Sequence, residues 1–325
     1  MIRSVALVLG ATLLVFLLWR LGPTEILTAL DRIGWSAVPI VLVYAAHHVT
    51  RAFALRSSVL RPNVLAFRDA LAIRLSGEAV QSLTVTGPVL AEPTRAWLLQ
   101  RHGLTLTEAF AATITEYLIS SFVNAGMAIA ALAYLIHHFK PSGEVLGIAV
   151  GIICVLIAFL VVAAIAIARR FYLVGTVIAG LARIGVLRGR WQPDMKSINR
   201  VEDVLLALMH DRPKRLVTLM VIEAGAQILL VLELLWLLHT LDLTVPQSYA
   251  LIIEGSIKMI GVVFLFIPLQ LGVAEGAYAL IFDTMGLPSA LGFAVAFLRR
   301  IRTVAIAGIG FATLVLSTRD SPQPR

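Results

Sequence analysis

Between residues 147 and 168 the chain carries no charged side chain. About 20 apolar residues in a helix cross the hydrocarbon core of a bilayer, and a helix satisfies its own backbone there. The run therefore predicts a membrane-spanning helix. Comparable runs lie at 4–19, 35–54, 106–136, 216–238 and 290–317, which gives six crossings. Composition agrees: 59% of residues are hydrophobic and 14% charged, against about 45–50% and about 25% in soluble chains. There is too little polar surface here to cover two water-facing domains. The expected fold is an all-α polytopic membrane protein.

The run at 4–19 follows Arg3 and leads into Arg20-Leu21-Gly22-Pro23 rather than a small-residue cleavage site. It reads as a retained anchor, not a removed signal. The single cysteine, Cys154, lies in an apolar run and can make no intrachain disulfide.

Basic residues set the orientation. With the N-terminus inside, most of the 27 Lys and Arg residues fall on the cytoplasmic side, and only Arg20, Arg32 and Lys140 fall outside. Arg51, Arg74 and Arg95 count toward the inside face in this reading. The bias predicts both termini in the cytoplasm. It also accounts for the net charge of +8 without a nucleic-acid partner, because the charges sit between apolar runs.

Two segments do not read as simple crossings. Residues 68–100 are apolar but broken around Gly87-Pro88, and residues 246–285 are broken around Pro268 and Gly272. Gly and Pro interrupt helices, and freed backbone groups are tolerated at membrane depth only inside protein or against a wet cavity. The segments predict two re-entrant helical hairpins, the first opening to the cytoplasm and the second outside. Two kinked ordinary spans are the alternative.

A shift of 183 residues superimposes the two segments. Ala91-Glu92 falls on Ala274-Glu275, Gly103-Leu104 on Gly286-Leu287, and Glu116 on Arg299. Each half then reads span, hairpin, span, with the crossing at 147–168 inverting the second. The expectation is a single integral domain: an anchor helix at 1–34, a first repeat at 35–136, a linking helix and basic cytoplasmic loop at 137–214, and a second repeat at 215–318. Inverted repeats with broken helices point to a site near the bilayer midplane. In the linking region Ile198, Val201, Val204, Leu205 and Leu208 recur at helical spacing beside Lys196 and Arg200, which predicts a helix on the cytoplasmic surface.

Ionisable groups inside spans are costly and face the bundle interior. Here they are Glu78, Glu92, Arg95, Glu116, Glu223, Glu233, Glu254, Lys258, Glu275, Arg299, Arg300 and Arg302. Glu254 and Lys258 are spaced to pair on one helix face. Three arginines within four residues of one span need anions nearby, either carboxylates or lipid phosphates, and the guanidinium fork matches phosphate. Each hairpin break also restarts a helix, whose N-terminal amides favour negative charge. Glu92 and Glu275 follow those starts, either as caps or as groups that yield to a headgroup. The residues expected to contact substrate are Glu92, Arg95, Glu116, Lys258, Glu275, Arg299 and Arg300. His47-His48 with Arg51 reads as an interfacial group at a cytoplasmic end. No HExxH, Walker or GxSxG pattern occurs, so no catalytic, metal or cofactor role is expected.

The stretch Thr86-Gly87-Pro88-Val89-Leu90-Ala91-Glu92-Pro93-Thr94-Arg95 resembles the Pro-Gly-Gly-x-Gly-Gly-Asp-x-x-Arg motif of the flippase-like membrane domain of lysylphosphatidylglycerol synthases. Glu92 stands for the Asp, and Leu90-Ala91 for a Gly pair. Residues Ile267-Pro268-Leu269-Gln270-Leu271-Gly272-Val273-Ala274-Glu275-Gly276 resemble that family's Pro-Gly-Gly-Leu-Gly-x-x-Glu motif, with Leu269-Gln270 in place of Gly-Gly. The family includes stand-alone proteins implicated in hopanoid and glycolipid handling.

The resemblance implies a protein of a bacterial cytoplasmic membrane that moves an anionic lipid or lipid-linked headgroup between leaflets without ATP. Its partners would be membrane lipids and enzymes of lipid or envelope biosynthesis. No aminoacyltransferase domain follows the last span, so lipid aminoacylation is not expected. A secondary transporter of a small anion and a non-transporting membrane scaffold are the competing readings.

Overall fold

The computed structural model describes residues 34–84, 87–172, 194–210, 212–243, 245–263 and 272–319, with isolated positions 24, 28, 31, 175, 176 and 180. The anchor expected at 4–19 lies outside them. Ten α-helices follow in order, with no strand among the described residues: α1 (Ala37–Ser58), α2 (Phe67–Leu83), α3 (Gly87–Arg101), α4 (Leu106–Phe139), α5 (Gly143–Ala168), α6 (Met195–His210), α7 (Pro213–Thr240), α8 (Ser248–Val263), α9 (Val273–Thr284) and α10 (Ser289–Arg319).

Five of these, α1, α4, α5, α7 and α10, are long and apolar enough to cross a membrane. They coincide with five of the six expected spans. Their outer faces are apolar at helical spacing. On α7, Val217, Val221, Ile228, Leu232 and Trp236 are exposed, while Glu223, Gln227, Glu233 and Leu234 are buried. Such an inverted pattern, apolar outside and ionisable inside, needs lipid as its solvent.

Local chemistry sets the helix ends. Thr105 opens α4 with a capping box: its hydroxyl accepts the Glu108 N–H at 3.2 Å, and the Glu108 carboxylate accepts the Thr105 N–H at 2.9 Å. The helix closes at Lys140, which adopts a left-handed conformation. The chain leaves α2 extended at Thr84 and restarts at Gly87, whose N–H donates to the Thr84 carbonyl at 3.1 Å. A Cβ at position 87 would stand 1.9 Å from the Gln81 carbonyl oxygen; only glycine fits so tight a return. Pro88 is the second residue of α3, where its missing N–H costs no helical bond. In the second segment Pro268 lies outside the described residues. Gly272, at φ 75°, precedes the first turn of α9.

With 17, 15, 16 and 12 residues, α2, α3, α8 and α9 reach roughly 18–26 Å, at about 1.5 Å per residue. Each is shorter than a hydrocarbon core of about 30 Å. They pack in pairs, α2 on α3 and α8 on α9.

The long helices lock these pairs in a crossed pattern. α2 packs against α10, and α8 against α4; α3 rests on its neighbour α4, and α9 on α10; α1 and α7 face each other between them. Two glycines make the crossed contacts close. A Cβ on Gly310 would lie 2.0 Å from the Leu75 carbonyl oxygen, and one on Gly255 would lie 2.4 Å from Ala131 Cβ. Small residues at such seams let helix backbones approach and gain dispersion contacts.

α6 corrects one expectation. Its apolar face is not left for lipid: Leu205, Leu206 and Met209 are buried with Ala54, Ala111, Ile119 and Leu219, so the helix seats on α4 and α7. Buried Glu202 accepts the Gly175 N–H at 2.9 Å.

Candidate functional site

The buried ionisable residues of the helix bundle gather into two networks, to each of which the facing pair α1 and α7 contributes. On α1, Tyr44, His47, His48, Arg51 and Leu55 are one, three or four residues apart and so share a stripe. Arg51 serves one network from this stripe, and Tyr44 the other.

In the first network Glu116 of α4 lies between two guanidinium groups, at 2.5 Å from Arg51 and 3.4 Å from Arg74. Arg51 also faces Glu223 of α7 at 3.4 Å, and Arg74 faces Glu78 one turn on at 3.7 Å. Arg95 of α3 pairs with Glu92 on its own helix and reaches the Gln81 carboxamide at 3.4 Å. Its stem fills the space left by Gly77, where a Cβ would stand 2.7 Å from Arg95 Cγ.

In the second network Arg299 of α10 is the hub. It meets Glu254 of α8 at 2.6 Å and Glu233 of α7 at 3.1 Å, and it also donates to the Tyr278 hydroxyl. Glu254 has a second counter-ion in Lys258 at 3.5 Å, and Glu233 has one in Arg302. Lys258 also donates to Asn124 at 3.0 Å and to Gln227. Arg302 lies 3.8 Å over the Tyr44 ring, a cation–π contact that returns the network to α1. Beside it Arg300 grips Glu275 with a fork, Nε to Oε1 at 2.6 Å and Nη2 to Oε2 at 2.9 Å.

The cations Arg51, Arg74, Arg95, Lys258, Arg299, Arg300 and Arg302 thus face an equal number of carboxylates: Glu78, Glu92, Glu116, Glu223, Glu233, Glu254 and Glu275. Formal neutrality explains how so much charge stays buried, since an unpaired buried ion costs several kcal/mol (of order 3–5). Satisfaction is nevertheless incomplete. Arg74, Arg95, Arg299 and Arg302 each keep a buried Nε–H with no hydrogen-bond partner among the described residues, and one oxygen each of Glu92 and Glu233 is likewise left over.

The sequence-derived residues divide accordingly. Glu116 and Arg299 are both buried, but they belong to different networks and do not meet. Glu254 and Lys258 pair as their spacing predicts. Neither Glu92 nor Glu275 spends itself on capping: Glu92 pairs with Arg95, and Glu275 is held by Arg300. Two residues are corrected. Arg51 and Arg74, read only as cytoplasmic topology charges, are network members with side chains at most 14% exposed, whereas Arg95, also counted among the intramembrane groups, is buried as that reading expects. His47 and His48 are buried as well, not interfacial. His47 Nδ1 lies 2.9 Å from the Ala226 carbonyl, and His48 sits edge-on to Tyr44 with ring centroids 4.6 Å apart. Tyr44, Tyr278, Asn124 and Gln227 were missed. Their only sequence signal is a polar group on the stripe that also carries a charge.

Residues 3–310 match the family described as the lysylphosphatidylglycerol synthase TM region. No curated protein and no solved structure matches the chain.

Proposed function

Since the chain belongs to the lysylphosphatidylglycerol synthase TM-region family, a membrane family related to lipid biosynthesis or transport, we propose that it moves an anionic lipid between the leaflets of a bacterial cytoplasmic membrane, without chemical change to the lipid and without ATP. Both termini would face the cytoplasm. The short pairs α2–α3 and α8–α9 would be re-entrant hairpins of an inverted repeat, a reading supported by the crossed packing of α2 on α10 and α8 on α4.

The observation that carries this reading is the set of guanidinium N–H groups on Arg74, Arg95, Arg299 and Arg302 that find no partner among the described residues. Rigid structural pairs normally satisfy every buried donor, since each one left over costs about 1–3 kcal/mol. Donors left over around exchangeable ion pairs suit an oxyanion that enters for part of a cycle. A phosphodiester would take the free N–H edges, with displaced carboxylates held by their second cations, as Glu254 is by Lys258. Glu92, Arg95, Glu116, Lys258, Glu275, Arg299 and Arg300 would be the groups that respond to it.

The balance of charges favours one competing reading, a scaffold whose networks only join helices. Vesicles containing the purified protein and headgroup-labelled phosphatidylglycerol separate the two. Label should become accessible to a membrane-impermeant quencher faster than in protein-free vesicles, and faster than labelled phosphatidylcholine does. Equal rates with and without protein would leave the scaffold standing. Uptake of radiolabelled inorganic phosphate without lipid movement would favour a small-anion transporter.

A further inference from the structure

His48 belongs to neither network, although its ring packs edge-on against Tyr44, on which Arg302 stacks. It is 2% exposed, and neither ring nitrogen has a hydrogen-bond partner among the described residues. A neutral imidazole carries one donor and one acceptor, so this ring leaves both unused in a dry interior. Nothing in the packing of α1 requires a histidine there. An apolar ring would fill the same volume against Tyr44 without that penalty.

The surroundings are specific. On its own helix the ring lies between Tyr44 and Arg51, with His47 edge-on at 5.2 Å. The charges of Glu78 and Arg74 on α2 act on the ring, as does that of Arg302 on α10, which stacks on Tyr44. The carboxylates of the other packed helices, Glu223 and Glu233 of α7 and Glu116 of α4, are directed at Arg51, Arg302 and Arg74 rather than at the ring. Glu78 is the carboxylate whose charge acts most strongly on His48. Its own partners are distant, Arg74 at 3.7 Å and Ser82 at 3.4 Å.

We infer that His48 is a proton-binding site, through which movement of lipid by this protein is coupled to the proton gradient across the membrane. The step is a simple exchange. A lone pair on one ring nitrogen accepts a proton from one aqueous side, and the same N–H later gives it up to the other. Taken together the networks already balance, so the proton is the one charge gained and lost. Its arrival adds a cation between Arg51 and Arg302, which favours drawing Glu78 away from Arg74 and onto the ring. Each network is thereby altered from a residue that belongs to neither. An anionic headgroup would compensate the added charge, which links proton uptake to substrate uptake.

The inference rests on the proposed lipid movement, and the experiment keeps the two apart. Vesicles with an entrapped pH dye and headgroup-labelled phosphatidylglycerol are assayed with and without an imposed pH gradient, and the readout is the ratio of the two lipid rates. Wild type should give a ratio of several-fold, with a dye signal that follows lipid movement. His48→Gln, which keeps a polar side chain but does not titrate, should give a ratio of one whatever its absolute rate. His48→Asn serves as a second variant if the first does not fold. A wild-type ratio of one, or an unchanged ratio in either folded variant, overturns the proton site and leaves lipid movement intact. Absence of lipid movement by wild type at any gradient overturns both.

Discussion

Arg300 and Glu275 meet through two parallel contacts, 2.6 and 2.9 Å, that tie the last long helix to the helix restarting after Gly272. The carboxylate is fully buried and the guanidinium nearly so, with side chains 0% and 14% exposed. A planar fork supplies both bonds at once, which an ammonium cannot do.

Arg300→Ala should therefore lower stability by about 3–5 kcal/mol, the cost of leaving one member of a buried pair unmatched. Adding Glu275→Gln to that variant should recover part of the loss, because the stranded charge is then gone. Thermal unfolding of the purified single and double variants in detergent measures this. Additive losses would mean that the two residues act independently.

Arg299→Ala should behave differently. Glu254 retains Lys258 and Glu233 retains Arg302 when Arg299 is removed, so no carboxylate is stranded and the fold should survive. Affinity for an anionic headgroup should fall about tenfold or more, since a charged hydrogen bond is worth roughly 1.5–3 kcal/mol. Arg299→Lys should restore part of it. Rates of labelled phosphatidylglycerol exchange, taken against lipid concentration, give the numbers. Wild-type exchange by well-folded Arg299→Ala would sink the assignment.

Gly310→Ala and Gly255→Ala should each destabilise by about 1–3 kcal/mol, the usual range for overpacking, because the added methyl meets Leu75 backbone in one case and Ala131 in the other. Gly126→Ala, with nothing within 4 Å of its Cβ, should be neutral or gain about 0.4–1 kcal/mol from a stiffer unfolded chain. Melting curves of the three variants side by side test the crossed seams. A Gly310→Ala variant as stable as Gly126→Ala would contradict them.

Topology is open to direct chemical test. In a Cys154→Ser background, cysteines placed at Arg68 and Gln100 should label from one side of the membrane. Those at Ser248 and Thr284 should label together from the other. Labelling of the two ends of either segment from opposite sides would convert the hairpins into kinked crossings.

Elements were far easier to read in the sequence than partners. Five spans appear within a few residues of their expected bounds, because apolar length alone determines them. The break at Gly87 was legible because Gly and Pro act on their own backbone. Arg51 was misread for the opposite reason. An arginine near the end of an apolar run looks the same whether it faces water or a carboxylate, and its carboxylate here is Glu116, a whole helix pair away. The repeat had the same limit. It aligned Glu92 with Glu275, which lie on α3 and α9, yet one pairs with Arg95 on its own helix and the other with Arg300 on the next. Likeness in sequence did not carry over to the ion pairs.

The crossed seams also govern the order in which the protein can be made. α2 is among the first described helices to leave the ribosome, whereas its seat on α10 is the last. For most of synthesis the Leu75 carbonyl lacks the Gly310 backbone that covers it, and Arg74 and Glu78 wait beside an unfilled seam. A chain stopped after α7 would hold Glu223 and Glu233 with no Arg299 or Arg302 to meet Glu233. Helices can enter the bilayer before they pack on one another, but the seam at Leu75 and the pairs of Glu233 close only once α10 has emerged.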